Sequence, residues 1–292
     1  MQKIIILGAG GTLGQELVKK YKQSGCKVFG LKKNELDINQ ESSIKELMSS
    51  IQPDLIINAS AMNAVDKVEI DDAEYQKALT VNGTSVGTLA KISASREIPF
   101  VHYSTDFVFD GGNVNGYTED AVPNPISRYG ETKLLGEEEI KKNSDKFYII
   151  RVSRLFGEKG SSENTKSSFV DLMLKLACVD GKRELRMVND QFTCPTYVAD
   201  VTESTFDLVA NGNSFGMYHA ANIGSCSSYE FASVIFEKIG IPMKLIPVSS
   251  SEFEQPARRP QYSELINTKL PKMRHWQDAL EEYLQTIQAL GK

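Results

Sequence analysis

Five short apolar runs, rich in β-branched residues, alternate with stretches of helical periodicity through the first half of the chain. Lys3 to Leu7, Lys27 to Leu31, Asp54 to Asn58, Pro99 to Tyr103 and Phe147 to Val152 have the near-continuous hydrophobicity of strands buried on both faces of a parallel sheet. Between them, apolar positions three and four apart predict helices from Glu16 to about Ser24, Ser43 to Ile51, Asp71 to Ser95 and Tyr129 to Lys141. This alternation predicts an α/β fold built on a Rossmann-type doubly wound parallel sheet, with residues 1–155 as its main domain. Beyond Leu155 the alternation loosens. Helices are expected at Ser167 to Ala177 and Val198 to Val209, a short strand at Leu185 to Val188, and a strand near 217–220 that rejoins the main sheet. Ser227-Ser228-Tyr229-Glu230 has the form of a capping box, opening a helix that runs to Ile239 and stops at Gly240 before Pro242. A last helix begins near Trp276. Residues 156–292 are expected to form a smaller α/β lobe over the sheet edge that binds substrate.

Composition narrows the partners. With 292 residues and 41% hydrophobic positions, the chain can bury a full core. Its 33 basic and 38 acidic residues give a net charge of −5 with no basic tract, so nucleic acid is not an expected partner. No apolar run reaches the ~18 residues of a membrane span, and the N-terminus lacks a charged leader, so a cytoplasmic monomer or homodimer is expected. Cys26, Cys178, Cys194 and Cys226 lack ligand spacing, and His102, His219 and His275 are scattered, so no metal is expected.

Three features carry chemistry. Gly8-Ala9-Gly10-Gly11-Thr12-Leu13-Gly14 follows the first strand and opens a helix, where glycines admit a tight turn and close approach to a pyrophosphate. An acid at the end of the second strand would select the ribose 2′-hydroxyl of NADH; Lys32 and Lys33 stand there instead, which favours the 2′-phosphate of NADPH unless both simply face water. Tyr129 and Lys133 lie four residues apart on a helix, so they share a face. An adjacent ammonium stabilises a phenolate, so the pair can pass a proton to a substrate oxygen; alone, it reads equally as a solvated contact. The Gly8 turn, Thr105 and the Tyr129/Lys133 pair all fall at one edge of the expected sheet. That is the equipment for delivering hydride to a ketone, with Thr105 on the carbonyl oxygen, Tyr129 as proton donor and Lys133 acidifying Tyr129. Gly212-Asn213-Ser214-Phe215-Gly216 matches a hydrolase nucleophile pattern, but a helix precedes it and a strand follows, the reverse of what that motif needs.

The glycine turn, Ser-Thr-Asp-Phe-Val-Phe-Asp-Gly at 104–111, Tyr-Gly-Glu-Thr-Lys-Leu-Leu-Gly-Glu at 129–137, Val-Asn-Asp-Gln-Phe at 188–192 and Ala-Arg-Arg-Pro at 257–260 together resemble the dTDP-4-dehydrorhamnose reductases. These are extended short-chain dehydrogenase/reductases. The resemblance implies NADPH- or NADH-dependent reduction of the C4 ketone of a nucleotide-linked 6-deoxy-4-ketohexose, with Thr105, Tyr129 and Lys133 catalytic. It places Gly11, Thr12, Leu13, Asp37, Ile38, Ala61 and Asn63 near the dinucleotide, where Gly8 and Gly14 of the turn, Lys32 after the second strand, Ala59 and Ser60 after the third, and Tyr129 and Lys133 at the nicotinamide end are also expected. Val65, Asp106 and Arg154 would border the sugar and Arg259 the diphosphate. The departures bear on the substrate: Arg154 stands where the family usually has Trp, and Met62-Asn63, Thr193-Cys194 and Ser228 also differ. An anionic substrate would suit Arg154, as would an internal salt bridge to Glu158. The alternative is a non-catalytic NADP-binding regulatory subunit resembling the β subunit of methionine adenosyltransferase; the intact Thr105, Tyr129 and Lys133 favour the enzyme.

Overall fold

β1 (Lys3–Leu7) pairs in parallel with β2 (Lys27–Leu31) on one side and β3 (Leu55–Asn58) on the other. The computed structural model describes residues 1–163 and 165–289, so Asn164 and positions 290–292 of the expected C-terminal lobe lie outside the described residues. β4 (Phe100–Thr105) and β5 (Phe147–Val152) extend the sheet beyond β3. The chain then makes β6 (Leu155–Phe156), β7 (Glu184–Val188) and β8 (Thr196–Tyr197), which pair elsewhere, before β9 (Gly216–His219) returns beside β5. The sheet order is β2-β1-β3-β4-β5-β9, all parallel.

Alternation along each strand sends side chains into two cores, one per face. Ile4, Ile6, Val101 and Ile150 pack with α1 (Thr12–Gln23), through Leu17, and with the C-terminal helices; Ile5, Leu7, Ile56, Phe100 and Ile149 pack on the opposite face with Ile44 and Leu89. That second face is covered by α2 (Glu41–Ile51), α5 (Ser85–Ala94) and α6 (Arg128–Asn143), while α3 (Val65–Ile70) and α4 (Asp72–Leu79), also after β3, pack against α6. Every one of these strand side chains is fully buried, so truncating one to Ala would cost about 2–5 kcal/mol.

The single helix expected at 71–95 is α4 and α5 joined through a π-helical turn, Thr80–Thr84. Asn82 explains the interruption. Its side chain is fully buried, accepts from Met62 N (2.8 Å), and donates to Met62 O (3.1 Å) and Thr132 Oγ1 (3.0 Å). The turn therefore fixes both the strap after β3 and the start of α6. α6 comes close because residue 136 is Gly: a Cβ there would stand 2.2 Å from Asn82 O.

The second half follows the expected elements and adds three strands. α7 (Phe169–Leu174), α8 (Val198–Ala210), α9 (Ser228–Ile239) and α10 (Trp276–Ala289) occur near the positions read from periodicity. Ser227 and Glu230 form the reciprocal capping box, and Gly240 ends α9 with φ of 67°. Residues 212–215 are the turn between α8 and β9, and Gly216 opens β9, as their flanking elements require. α3 and β10 (Lys244–Val248) were not legible in the sequence; β10 contains Pro247 and pairs with β7 alone, an edge position that tolerates the missing N–H. No helix of the described residues is long and apolar enough to cross a membrane.

Candidate active site

The glycine turn caps the sheet where the strand order reverses, between β1 and β3. Gly8 (φ 79°) and Ala9 both donate to Leu31 O (3.0 and 3.1 Å), tying the turn to the end of β2. A Cβ on Gly14 would lie 2.1 Å from Gly8 O, so α1 starts this close only with glycine at that position. Gly11 is the N-cap and supplies no side-chain cap, which leaves the first-turn N–H groups of Thr12, Leu13 and Gly14 without intrahelical acceptors. This arrangement fits a dinucleotide diphosphate, held by free donors at the positive end of a helix.

The other residues expected at the dinucleotide surround this turn. The Lys32 stem lies against Gly10, where a Cβ would be 3.3 Å from Lys32 Cγ; Lys33 is exposed. Asp37 accepts from Asn39 N (3.0 Å) within its own loop, and Ile38 is buried beside it. Ala59 N donates to Leu7 O (2.9 Å), and a Cβ on Gly8 would be 2.7 Å from Ala59 and Ser60 backbone atoms, so the strap through Ala61 to Asn63 leaves β3 directly along the turn.

A second strap was missed by sequence reasoning. Ser162 N and Thr165 Oγ1 donate to Gly10 O (3.0 and 3.3 Å), Gly160 N to Thr12 Oγ1 (3.3 Å), and Gln15 Nε2 to Glu158 O (2.8 Å). Gly160 is its one signal in the sequence, since a Cβ there would stand 2.3 Å from Gly10 O. These bonds occupy a carbonyl and side chains of the turn and helix, and the strap packs over the start of α1, since a Cβ on Gly160 would also stand 2.7 Å from Thr12 N.

Ser127 caps α6 by accepting from Gly130 N (3.2 Å), which starts the helix so that Tyr129 and Lys133 face the end of β4. Both are buried. The Tyr129 hydroxyl donates to Asn63 Oδ1 (3.3 Å), and its ring meets the Phe107 ring edge-on. Burial raises the phenol pKa, with hydrogen bonding to Thr105 working against that rise. Lys133 shares the helix face, as its spacing predicts, but its amine does not meet the phenol. Lys133 Nζ donates to Tyr103 O (2.7 Å) and lies 3.1 Å from His102 Nε2. Burial lowers the Lys133 pKa to about 8, while the Glu137 carboxylate opposes the fall. In this structure the acidifying contact expected between Lys133 and Tyr129 is replaced by contacts to β4.

Thr105, the last residue of β4, donates to Asp106 Oδ1 (3.1 Å) and accepts from Phe107 N (3.3 Å). Asp106 was expected at the sugar. It is instead buried, and its other oxygen accepts from Ser153 Oγ (2.9 Å) and Ser263 Oγ (2.6 Å). Burial raises its pKa against these three hydroxyl donors. Its present role is to orient Thr105 and to join β4, β5 and the C-terminal lobe. Arg259, expected at a diphosphate, makes an ion pair with Asp66 of α3, its Nη2 donating to both carboxylate oxygens (2.9 and 2.8 Å), beside Val65. Burial raises the Asp66 pKa, but the hydrogen bonds and charge of Arg259 outweigh it and leave the value lowered. Asp66 was not singled out in the sequence, because nothing local marks it as a partner 193 residues from Arg259.

The model of the RmlD substrate binding domain matches residues 1–289. The chain belongs to this family. Spore coat polysaccharide biosynthesis protein SpsK of Bacillus subtilis is 38% identical, over 98% of each chain. The dTDP-4-dehydrorhamnose reductase of Mycolicibacterium smegmatis is 32% identical, over 98% of this chain and 86% of its own. The crystal structure of dTDP-4-dehydrorhamnose reductase from Bacillus anthracis, in complex with NADP, superposes with a TM-score of 0.91 at 32% identity, covering 98% of this chain and all of that one.

Within this RmlD-family chain, Arg154 has an unusual backbone, with φ of 38°. The half-buried guanidinium donates to Thr193 Oγ1 (3.3 Å) and Ser228 Oγ (2.9 Å) and lies over the rings of Phe169 (4.4 Å) and Phe231 (5.2 Å). No ion pair between Arg154 and a carboxylate, Glu158 included, occurs among the described residues. Arg154, Thr193 and Ser228, three of the positions read as departures in the sequence, therefore form one hydrogen-bonded group. Among the described residues, no cluster of His, Cys, Asp or Glu is placed to hold a metal ion.

Proposed function

We propose that this RmlD-family chain catalyses NAD(P)H-dependent reduction of the C4 ketone of a nucleotide-linked 6-deoxy-4-ketohexose: dTDP-4-dehydro-L-rhamnose to dTDP-L-rhamnose, or a close analogue. The carrying observation is that Tyr129 OH reaches Asn63 at the crevice beside the glycine turn, with Thr105 ending the adjacent strand. When bound, the dinucleotide supplies the hydride. The chain supplies geometry and the proton: Gly8, Gly11, Thr12, Leu13 and Gly14 hold the diphosphate, and Lys32 the 2′-phosphate that favours NADPH. Thr105, oriented by Asp106, and Tyr129 meet the carbonyl oxygen, and Tyr129 delivers its proton there. Lys133 restores the proton and holds the nicotinamide ribose.

Residues 156–292 act as the substrate lobe, with Val65, Arg154 and Arg259 bordering the sugar and diphosphate and Asp106 acting behind them through Thr105. The B. subtilis relative's name supports a role in polysaccharide biosynthesis. The Arg154, Thr193 and Ser228 group supports a sugar, or a nucleotide, that differs from the dTDP-rhamnose pair. The test is turnover of freshly generated dTDP-, UDP- and GDP-linked 4-keto-6-deoxyhexoses with NADPH or NADH, with the product identified by NMR. A C4 carbinol from at least one is expected. Cofactor binding with no turnover of any would favour the regulatory-subunit reading.

A further inference from the structure

The hydrogen bonds that reach Lys133 can run in only one direction. Ser60 N–H donates to Asn58 Oδ1 (3.0 Å), and a backbone N–H cannot be an acceptor, so the Asn58 amide is fixed with Nδ2 turned away from it. Nδ2, a donor, faces His102 Nδ1 at 3.1 Å. His102 Nδ1 must then carry no proton, which puts the imidazole hydrogen on Nε2. Nε2 lies 3.1 Å from Lys133 Nζ, and an Nε2–H needs a lone pair there. An amine has one; an ammonium has none. Lys133 Nζ completes the series by donating to Tyr103 O (2.7 Å). Asn58 and His102 are fully buried and Lys133 nearly so, which leaves little room for water to relieve a wrong polarity.

We propose that His102 is a positioning residue that, at alkaline pH, holds Lys133 as a neutral amine, turned toward β4 and away from Tyr129, in the cofactor-free protein. Protonating Lys133 sets either two donors against each other between His102 and Asn58, or the reversed Asn58 amide against Ser60 N–H. The ammonium therefore leaves His102. Proton uptake thus becomes the event that frees the side chain to turn into the crevice, where the reading above needs a cation. The catalytic consequence rests on that reading; the protonation state of the resting protein does not. The charged and titratable groups around the amine are few. On α6 these are Glu137, one turn on and paired with Arg151 of β5, and Tyr129, one turn back. On β4 they are His102 and Tyr103, with Asp106 just beyond.

Two measurements on the full chain test this. With three histidines in the sequence, ¹⁵N-histidine labelling gives a readable spectrum, and His102 is identified by the resonance missing from His102→Gln. The expected result is an Nε2–H tautomer for His102 that does not become imidazolium before the protein unfolds. His219 should show the opposite tautomer, because its Nδ1 lies 3.1 Å from Ile266 O and must donate. An Nδ1–H tautomer or an imidazolium at His102 would overturn the proposal. The second measurement is NADPH binding by calorimetry in buffers of different ionisation enthalpy. Proton uptake should rise as the pH passes about 8 and be absent in Lys133→Met. In His102→Gln its midpoint should move up by roughly one pH unit, since only burial then opposes the charge. NADPH binding with no proton uptake at any pH overturns the coupling, while turnover of a keto-sugar by the same preparation would show the reductase reading intact.

Discussion

Arg151 and Glu137 form a buried two-point ion pair, Nε to Oε1 at 2.8 Å and Nη2 to Oε2 at 2.7 Å, which fastens α6 to β5 beneath Tyr129 and Lys133. Removing one partner leaves a buried charge. Glu137→Ala is expected to lose about 3–5 kcal/mol in urea unfolding. The double replacement by Met at both positions should lose clearly less, because no unpaired charge remains. Equal losses would mean that the pair's polarity is not what matters.

His219 makes the fold sensitive to acid. Burial, and then the nearby Arg151 charge, lower its pKa from 6.5 to about 4. The folded protein thus binds this proton less readily than the unfolded chain does. The resulting stability is fully present above pH 6.5 and is lost as the pH falls toward 4. His102, whose pKa burial and Lys133 also lower, acts in the same direction. Asp106 acts in the opposite sense: its raised pKa favours the protonated acid in the fold, a contribution lost as the pH rises through the folded value. Unfolding free energy measured from pH 7 to 4 should fall, and His219→Gln should fall less steeply by up to about 1.4 kcal/mol per pH unit.

Lys32 places a cation beside the glycine turn at the end of β2. Lys32→Glu is expected to lower kcat/KM for NADPH about tenfold or more, while the value for NADH changes less than about threefold. Steady-state kinetics with both cofactors would check this. A parallel fall for both would assign Lys32 to the fold of the turn.

Arg154 tests the substrate lobe. Arg154→Leu removes the bonds to Thr193 and Ser228 and the cation–π contacts, the latter worth about 0.5–2 kcal/mol. The expected result is a sugar-nucleotide KM raised about tenfold with the NADPH KM unchanged, read by varying each substrate in turn. An unchanged sugar-nucleotide KM would make Arg154 a packing residue.

Local chemistry made much of this molecule readable from its sequence. The β-branched runs, the glycine turn and the Ser227/Glu230 box each act within a few residues, and each appears where its pattern places it. Tyr129 and Lys133 share a helix face for the same reason. What the pattern does not carry is the choice of partner across the fold. Asn82 interrupts a helix because of Met62 and Thr132; Arg259 turns to Asp66; Lys133 turns to His102. The two-residue strands β6 and β8 pair only with each other and are too short to show a period.

Tyr129→Phe tests the central claim most directly, because it removes one oxygen and the hydrogen bond to Asn63 and leaves the ring against Phe107. NADPH affinity by calorimetry and single-turnover reduction of the accepted keto-sugar should be measured on the same preparation. The account predicts cofactor affinity largely retained, with reduction slowed ~10²-fold or more. Reduction at the wild-type rate would contradict it.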